Sequence, residues 1–185
     1  MKEQFVSEAV KILNLDEYDE MLVRHGIDII LCDGSEVVTV LLVSLLSHQF
    51  LITCYYIIVF GFLRVNCGGW HAKTAECCFV VYCSLYLLFL MLYRIIIPEW
   101  AVWTLLLVNI GYIIINCPVQ HIFNPLSKKE VLMSRKKTCI FLSVICFVQQ
   151  ISVVRSVLLR PNLIILMLVS CSMMFLKRSE FWRKV

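Results

Sequence analysis

Long apolar runs decide most of what this chain can become. From Val37 to Val65 the sequence is apolar apart from Ser44, Ser47, His48, Gln49, Thr53 and Arg64, and further runs cover Phe79–Ile97, Trp100–Cys117, 138–154 and 162–176. A helix needs about 20 predominantly apolar residues to cross the hydrocarbon core of a bilayer. Composition agrees: 61% of the residues are hydrophobic and 16% charged, where soluble domains carry roughly 45–50% and 25%. A transmembrane β-barrel would alternate apolar and polar residues instead. The expected fold is all-α: a polytopic transmembrane helical protein in one membrane-embedded domain, 1–185.

Three parts are expected along it: an N-terminal amphipathic and acidic region (1–26), the transmembrane helices (27–176) and a basic tail (177–185). In residues 2–14, Phe5, Val6, Ala9, Val10, Ile12 and Leu13 recur at helical spacing, which describes an amphipathic helix. MKEQFVSEAV has no apolar core ahead of a small-residue cleavage site, so no secretory signal is expected. Asp16 is placed to cap a second helix through Tyr18–Arg24. As one helix, 37–65 would measure about 43 Å, well beyond a hydrocarbon core of about 30 Å. A break at Ser47-His48-Gln49 would give two helices, 27–46 and 50–64, hence about six membrane segments; five result if 37–64 is a single span. Pro98-Glu99 marks one later turn, 118–137 reads as a polar loop, and Arg160-Pro161-Asn162 reads as a turn.

Charge sets the orientation. Residues 1–36 hold nine acids and three Lys/Arg, and residues 37–185 hold four acids and fourteen Lys/Arg. Lys128, Lys129, Arg135, Lys136 and Lys137 in one loop, and Lys177, Arg178, Arg183 and Lys184 in the tail, are the densest basic clusters. Cytoplasmic loops are enriched in Lys and Arg, so both clusters are expected inside and the 155–161 turn outside, against the pull of Arg155 and Arg160. The same rule explains the positive charge without nucleic acid, which is not expected as a partner. The ten cysteines show no framework of spacings and are expected to be mostly reduced.

One polar island interrupts the apolar sequence: Arg64–Cys83, RVNCGGWHAKTAECCFVVYC. It holds a base, two adjacent thiols and a flexible Gly68-Gly69 pair. A thiolate is the reactive form of cysteine, and a nearby histidine can take its proton. Cys77 and Cys78 follow His71 by six and seven residues. On a regular helix Cys78 would share the His71 face to within about 20° and Cys77 would lie about 120° away, but seven residues rise about 10.5 Å, too far for a hydrogen bond. His71 must then lie on an irregular segment folded back by Gly68-Gly69 onto a helix that begins near Lys73–Thr74. The residue types leave other readings open: cysteines that only pack, or a metal held by Cys67, His71, Cys77 and Cys78, although C-x3-H-x5-C-C matches no common zinc site. No metal and no cofactor are expected.

Arg64, Gly68-Gly69, His71-Ala72 and a cysteine seven residues after the histidine resemble the AgrB family of membrane-embedded endopeptidases that process quorum-sensing propeptides. Cys117-Pro118-Val119 and Asn124-Pro125-Leu126 before a basic loop are similar to that family as well, with Cys117 where alanine is usual. The resemblance implies that His71 and Cys78 are catalytic, and that Arg64 and Gly69 match the family's basic residue and glycine. It implies an AgrD-type propeptide as substrate, membrane lipid as surroundings, a homodimer, and an active site on the cytoplasmic side of the cell membrane. Cys78 would attack a propeptide carbonyl with His71 as base, and the thioester would then yield a thiolactone or lactone ring. Gln120, His121 and Asn124 are further candidates for orienting His71 or binding peptide, beside Arg64, Gly68 and Gly69. The residues read without the family leave a rival: a peptide exporter or binding protein of the membrane with no catalytic role.

Overall fold

A computed structural model describes residues 17–68, 75–119 and 126–182. These form six α-helices and, among the described residues, no strand: α1 Glu17–Leu46, α2 Phe50–Cys67, α3 Ala75–Tyr93, α4 Glu99–Asn116, α5 Lys128–Val148 and α6 Ser152–Trp182. Stretches Phe50–Cys67, Glu76–Tyr93, Glu99–Asn116 and Val154–Arg178 are each long and apolar enough to cross a membrane. The chain is a multi-pass membrane protein.

Helix α6 is the axis of the bundle, packing against α2, α3 and α4, while α1 lies on α2 and α3, and α5 on α2 and α4. Its segment from Pro161 to Ser170 is buried almost without interruption, with Leu163, Ile164, Ile165, Leu166 and Val169 inside. A helix apolar all round is stable only when surrounded. The outer helices turn Ile58, Met91, Leu107, Val108, Ile115 and Phe147 away from the core. In water such a surface would be a liability; against lipid it is the expected exterior.

The break at residues 47–49 falls where the sequence places it. Helix α1 ends at Leu46, His48 adopts φ +54, and α2 starts at Phe50. Three other expectations are corrected. The separate helix at Tyr18–Arg24 is the first part of α1, because nothing between Glu17 and Ile27 breaks a helix except the mild cost of Gly26. At 30 residues, α1 measures about 45 Å and outreaches the hydrocarbon core. The basic half of the 118–137 segment is helical rather than loop: Ser127 accepts from the Glu130 N–H while Glu130 accepts from the Ser127 N–H, a capping box that starts α5 ten residues early. Finally, Arg160-Pro161-Asn162 makes no turn. Helix α6 runs straight through Pro161, and the chain reverses instead at Gln149–Ile151. Burial on all sides outweighs the single backbone hydrogen bond that proline removes, and Asn162 takes a hydrogen bond from the Tyr55 hydroxyl on α2.

The two ends of the bundle differ in kind. At one end Arg155, in the first turn of α6, pairs with Glu99 at 3.7 Å, so this cation has an acid beside it. At the other, Arg135 donates to the carbonyls of Ile114 and Ile115 at 3.3 and 3.1 Å, and Lys177 bonds to Asn116. Cations on the open carbonyls of a helix C-terminus are favourable in both hydrogen bonding and dipole.

Candidate active site at one end of the bundle

The site is built on a register between α2 and α3. On α3, Cys78, Tyr82, Tyr86, Phe89 and Tyr93 recur at steps of three and four residues, and so occupy one face. On α2 the facing stripe is Thr53, Tyr56, Phe60 and Arg64. The rings interlock: Tyr56 lies 5.1 Å from Phe60, 4.7 Å from Phe89 and 5.5 Å from Tyr86, and Phe60 meets Tyr82 edge-on at 5.9 Å. At one end Thr53 and the Tyr86 hydroxyl hydrogen-bond at 2.7 Å. At the other, the Arg64 guanidinium stands over the Tyr82 ring at 5.7 Å and donates to the Cys78 sulfur at 3.4 Å. Ring packing therefore delivers Cys78 to the arginine. Cys78 is half-buried and Cys77 exposed.

A carboxylate completes this cluster. Glu36, only 2% exposed, shares a buried stripe of α1 with Val40 and Ser44. It accepts from the Cys32 thiol at 3.8 Å and lies within the field of Arg64. A buried carboxylate requires such partners. No motif in the sequence marks Glu36. Its signal was the i, i+4, i+8 spacing Glu36-Val40-Ser44, which puts the acid on the inward face.

Beside the cluster is a cavity of about 320 Å³, almost wholly apolar, lined by Phe60, Arg64, Val81, Leu85, Leu168 and Phe175 among others. Arg64 is common to the cavity and to the thiol contact.

Gly68 follows directly. It adopts φ +73, and a Cβ there would stand 2.5 Å from the Val119 carbonyl oxygen. The Val119 N–H bonds to the Cys67 carbonyl at 2.8 Å, tying the end of α2 to the segment after α4. Below that tie, Cys117 donates to Thr138 at 3.4 Å and to the Asn66 carbonyl at 3.6 Å, and Cys67 contacts Thr138 at 3.6 Å. Cys117 thus helps join α2, α4 and α5. All ten cysteines are free thiols.

Helix α3 starts at Ala75, so Cys78 lies in its first turn. Among the residues singled out in the sequence, Arg64, Gly68 and Cys78 gather at this end. His71, Gly69, Gln120, His121 and Asn124 lie outside the described residues, as does the 2–14 helix. Of the thiols considered for a metal, Cys67 is buried among Cys117 and Thr138, whereas Cys77 is exposed.

A helical membrane bundle with a thiol, a guanidinium and a carboxylate clustered at one end defines the class. Residues 2–177 match the family model of accessory gene regulator B, and the chain belongs to that AgrB family. No curated protein and no solved structure matches it.

Proposed function

We propose that the protein is a membrane-embedded cysteine endopeptidase that removes the C-terminal tail of an AgrD-type quorum-sensing propeptide and promotes closure of the remaining peptide into a thiolactone or lactone. The observation that carries this reading is the position of Cys78: on the packed face of α3, in its first turn, with its sulfur 3.4 Å from Arg64. A guanidinium and a helix N-terminus are placed to steady negative charge that develops during acyl transfer. Attack of the Cys78 sulfur on a peptide carbonyl forms a thioester, with His71 the acid–base group that takes the thiol proton and protonates the departing amine. A cysteine or serine of the bound peptide then displaces Cys78 and closes the ring. Hydrolysis of the thioester would give a linear product, and a site walled by Tyr82 and an apolar cavity disfavours water. The cavity suits an apolar side chain of the peptide. Helix α1 and the basic first turns of α5 extend at this end, which the positive-inside rule places in the cytoplasm.

Purified protein mixed with propeptide tests the reading. Cleavage is expected from the parent and from Cys77→Ala, and is lost in Cys78→Ala and His71→Ala. Full cleavage by Cys78→Ala removes the nucleophile, and an absence of cleavage in the parent favours an exporter or binding protein. A cysteine placed at Ser127 that is labelled from outside intact cells reverses the orientation.

A further inference from the structure

The end of the bundle opposite Cys78 carries a cavity of about 370 Å³ between α4 and α6. Arg155, Ser156 and Arg160 line it from α6, and Glu99 lines it from the start of α4. Its floor is apolar: Val102 and Leu159 are buried there, and Ile97 adds a third aliphatic side chain. Trp100, next to Glu99, is exposed. Tryptophan is enriched at the headgroup level of membrane helices, which sets the depth of the cavity.

Charge at this end is unbalanced. Among the described residues its arginines are Arg94, Arg155 and Arg160, and its one acid is Glu99. Arg155 pairs with Glu99 at 3.7 Å, and among the described residues no acid pairs with Arg160. Arg160 is rooted six residues past Val154, where the apolar stretch of α6 begins, so its Cα lies about 9 Å inside that stretch. A cation so placed needs an anion or water within reach of its long side chain. With the basic first turns of α5 in the cytoplasm, arginines here also run against the positive-inside rule. Two guanidiniums over an apolar floor complement a molecule that is anionic at one end and aliphatic at the other.

We propose that this cavity binds the phosphate of an anionic phospholipid between Arg155 and Arg160, with an acyl chain along Ile97, Val102 and Leu159. The planar guanidinium presents paired N–H donors that fit phosphate oxygens, and Ser156 brings a hydroxyl to the same wall. Glu99 competes with the lipid for Arg155 and so limits its affinity. The bound lipid joins the start of α4 to the first turns of α6, at the far end of the bundle from Cys78. The site stands apart from the peptidase reading and does not depend on it.

The experiment is native mass spectrometry of the full chain in detergent with dioleoylphosphatidylglycerol, scoring adducts that survive increasing collision energy. The parent is expected to retain one such lipid, and to retain dioleoylphosphatidylcholine about fivefold less. Arg160→Gln is expected to cut retention about fivefold, the effect of one basic side chain near a charged lipid. Lys136→Gln, at the other end of the bundle, leaves retention unchanged. Glu99→Gln frees Arg155 and is expected to raise retention about threefold, which keeps the test decisive should Arg160→Gln not elute as folded protein. Incubation with inorganic phosphate before exchange into volatile buffer is expected to displace none of the lipid. Equal retention by the parent and Arg160→Gln, an equal loss in Lys136→Gln, or no gain in Glu99→Gln overturns the proposal. Equal retention of the two lipids overturns it as well, and displacement by inorganic phosphate removes the lipid as occupant.

Discussion

The Nη2 atom of Arg64 lies 3.4 Å from the sulfur of Cys78, joining the last turn of α2 to the first turn of α3 across fourteen residues of sequence. That contact sets the half-buried Cys78 beside the guanidinium, whereas its neighbour Cys77 is exposed. It also puts Arg64 at the candidate site.

Replacing Arg64 with Gln removes the cation while preserving much of the side chain. The alkylation rate of Cys78 at neutral pH is expected to fall at least tenfold, since charge-assisted contacts contribute about 1.5–3 kcal/mol. Propeptide cleavage falls with it. Arg64→Lys restores the point charge without the planar fork over Tyr82, and is expected to recover only part.

Gly68→Ala meets two obstacles at one position: φ of +73 and a carbonyl oxygen 2.5 Å from the new Cβ. Left-handed backbone at a non-glycine residue costs about 1–3 kcal/mol, and the clash adds to it by pushing Val119 from Cys67. Thermal unfolding in detergent should show a clear drop in Tm. A Tm equal to the parent's would mean that the Cys67–Val119 tie bears little of the structure.

The aromatic register allows a graded test. Tyr86→Phe removes one hydrogen bond, but the Thr53 hydroxyl still donates to the Gln49 carbonyl at 2.8 Å, so the expected loss is about 1 kcal/mol. Tyr56→Ala empties the centre of the ring cluster and is expected to cost about 3–5 kcal/mol. Equal effects in equilibrium unfolding would contradict the packing described.

The start of α5 should respond to acid. The Ser127 hydroxyl and backbone N–H together hold the Glu130 carboxyl below its ordinary range. A carboxyl lowered in the folded state contributes stability that is present above its unfolded value and is lost as pH falls through the folded one. Hydrogen exchange of the first turn of α5, corrected for intrinsic rates, is therefore expected to quicken on acidification in the parent. Ser127→Ala quickens it roughly three- to tenfold at neutral pH and weakens the pH response, which the remaining backbone N–H at 127 still supports in part.

Where the sequence misled, a local cue was overruled by its surroundings or a local cue went unread. Arg160-Pro161-Asn162 carries turn residues, but the walls of α2, α3 and α4 around α6 keep the helix intact. The Ser127–Glu130 capping box was legible at its three-residue spacing and was submerged in a run of lysines read for charge alone. Glu36 was legible as an inward acid, but nothing in its own neighbourhood says what it faces.

By itself the sequence determined that this is a helical membrane protein and that α1 and α2 separate at Ser47–Gln49, and it marked Arg64–Cys83 as the candidate site. Those properties follow from hydropathy, chain length against bilayer thickness, and the spacing of a few residues, all of which are local. Only the tertiary structure decided which side chain stands against the Cys78 sulfur. The Arg64–Cys78 contact depends on how the aromatic faces of α2 and α3 interlock, a matter of ring and side-chain shape that no periodicity encodes.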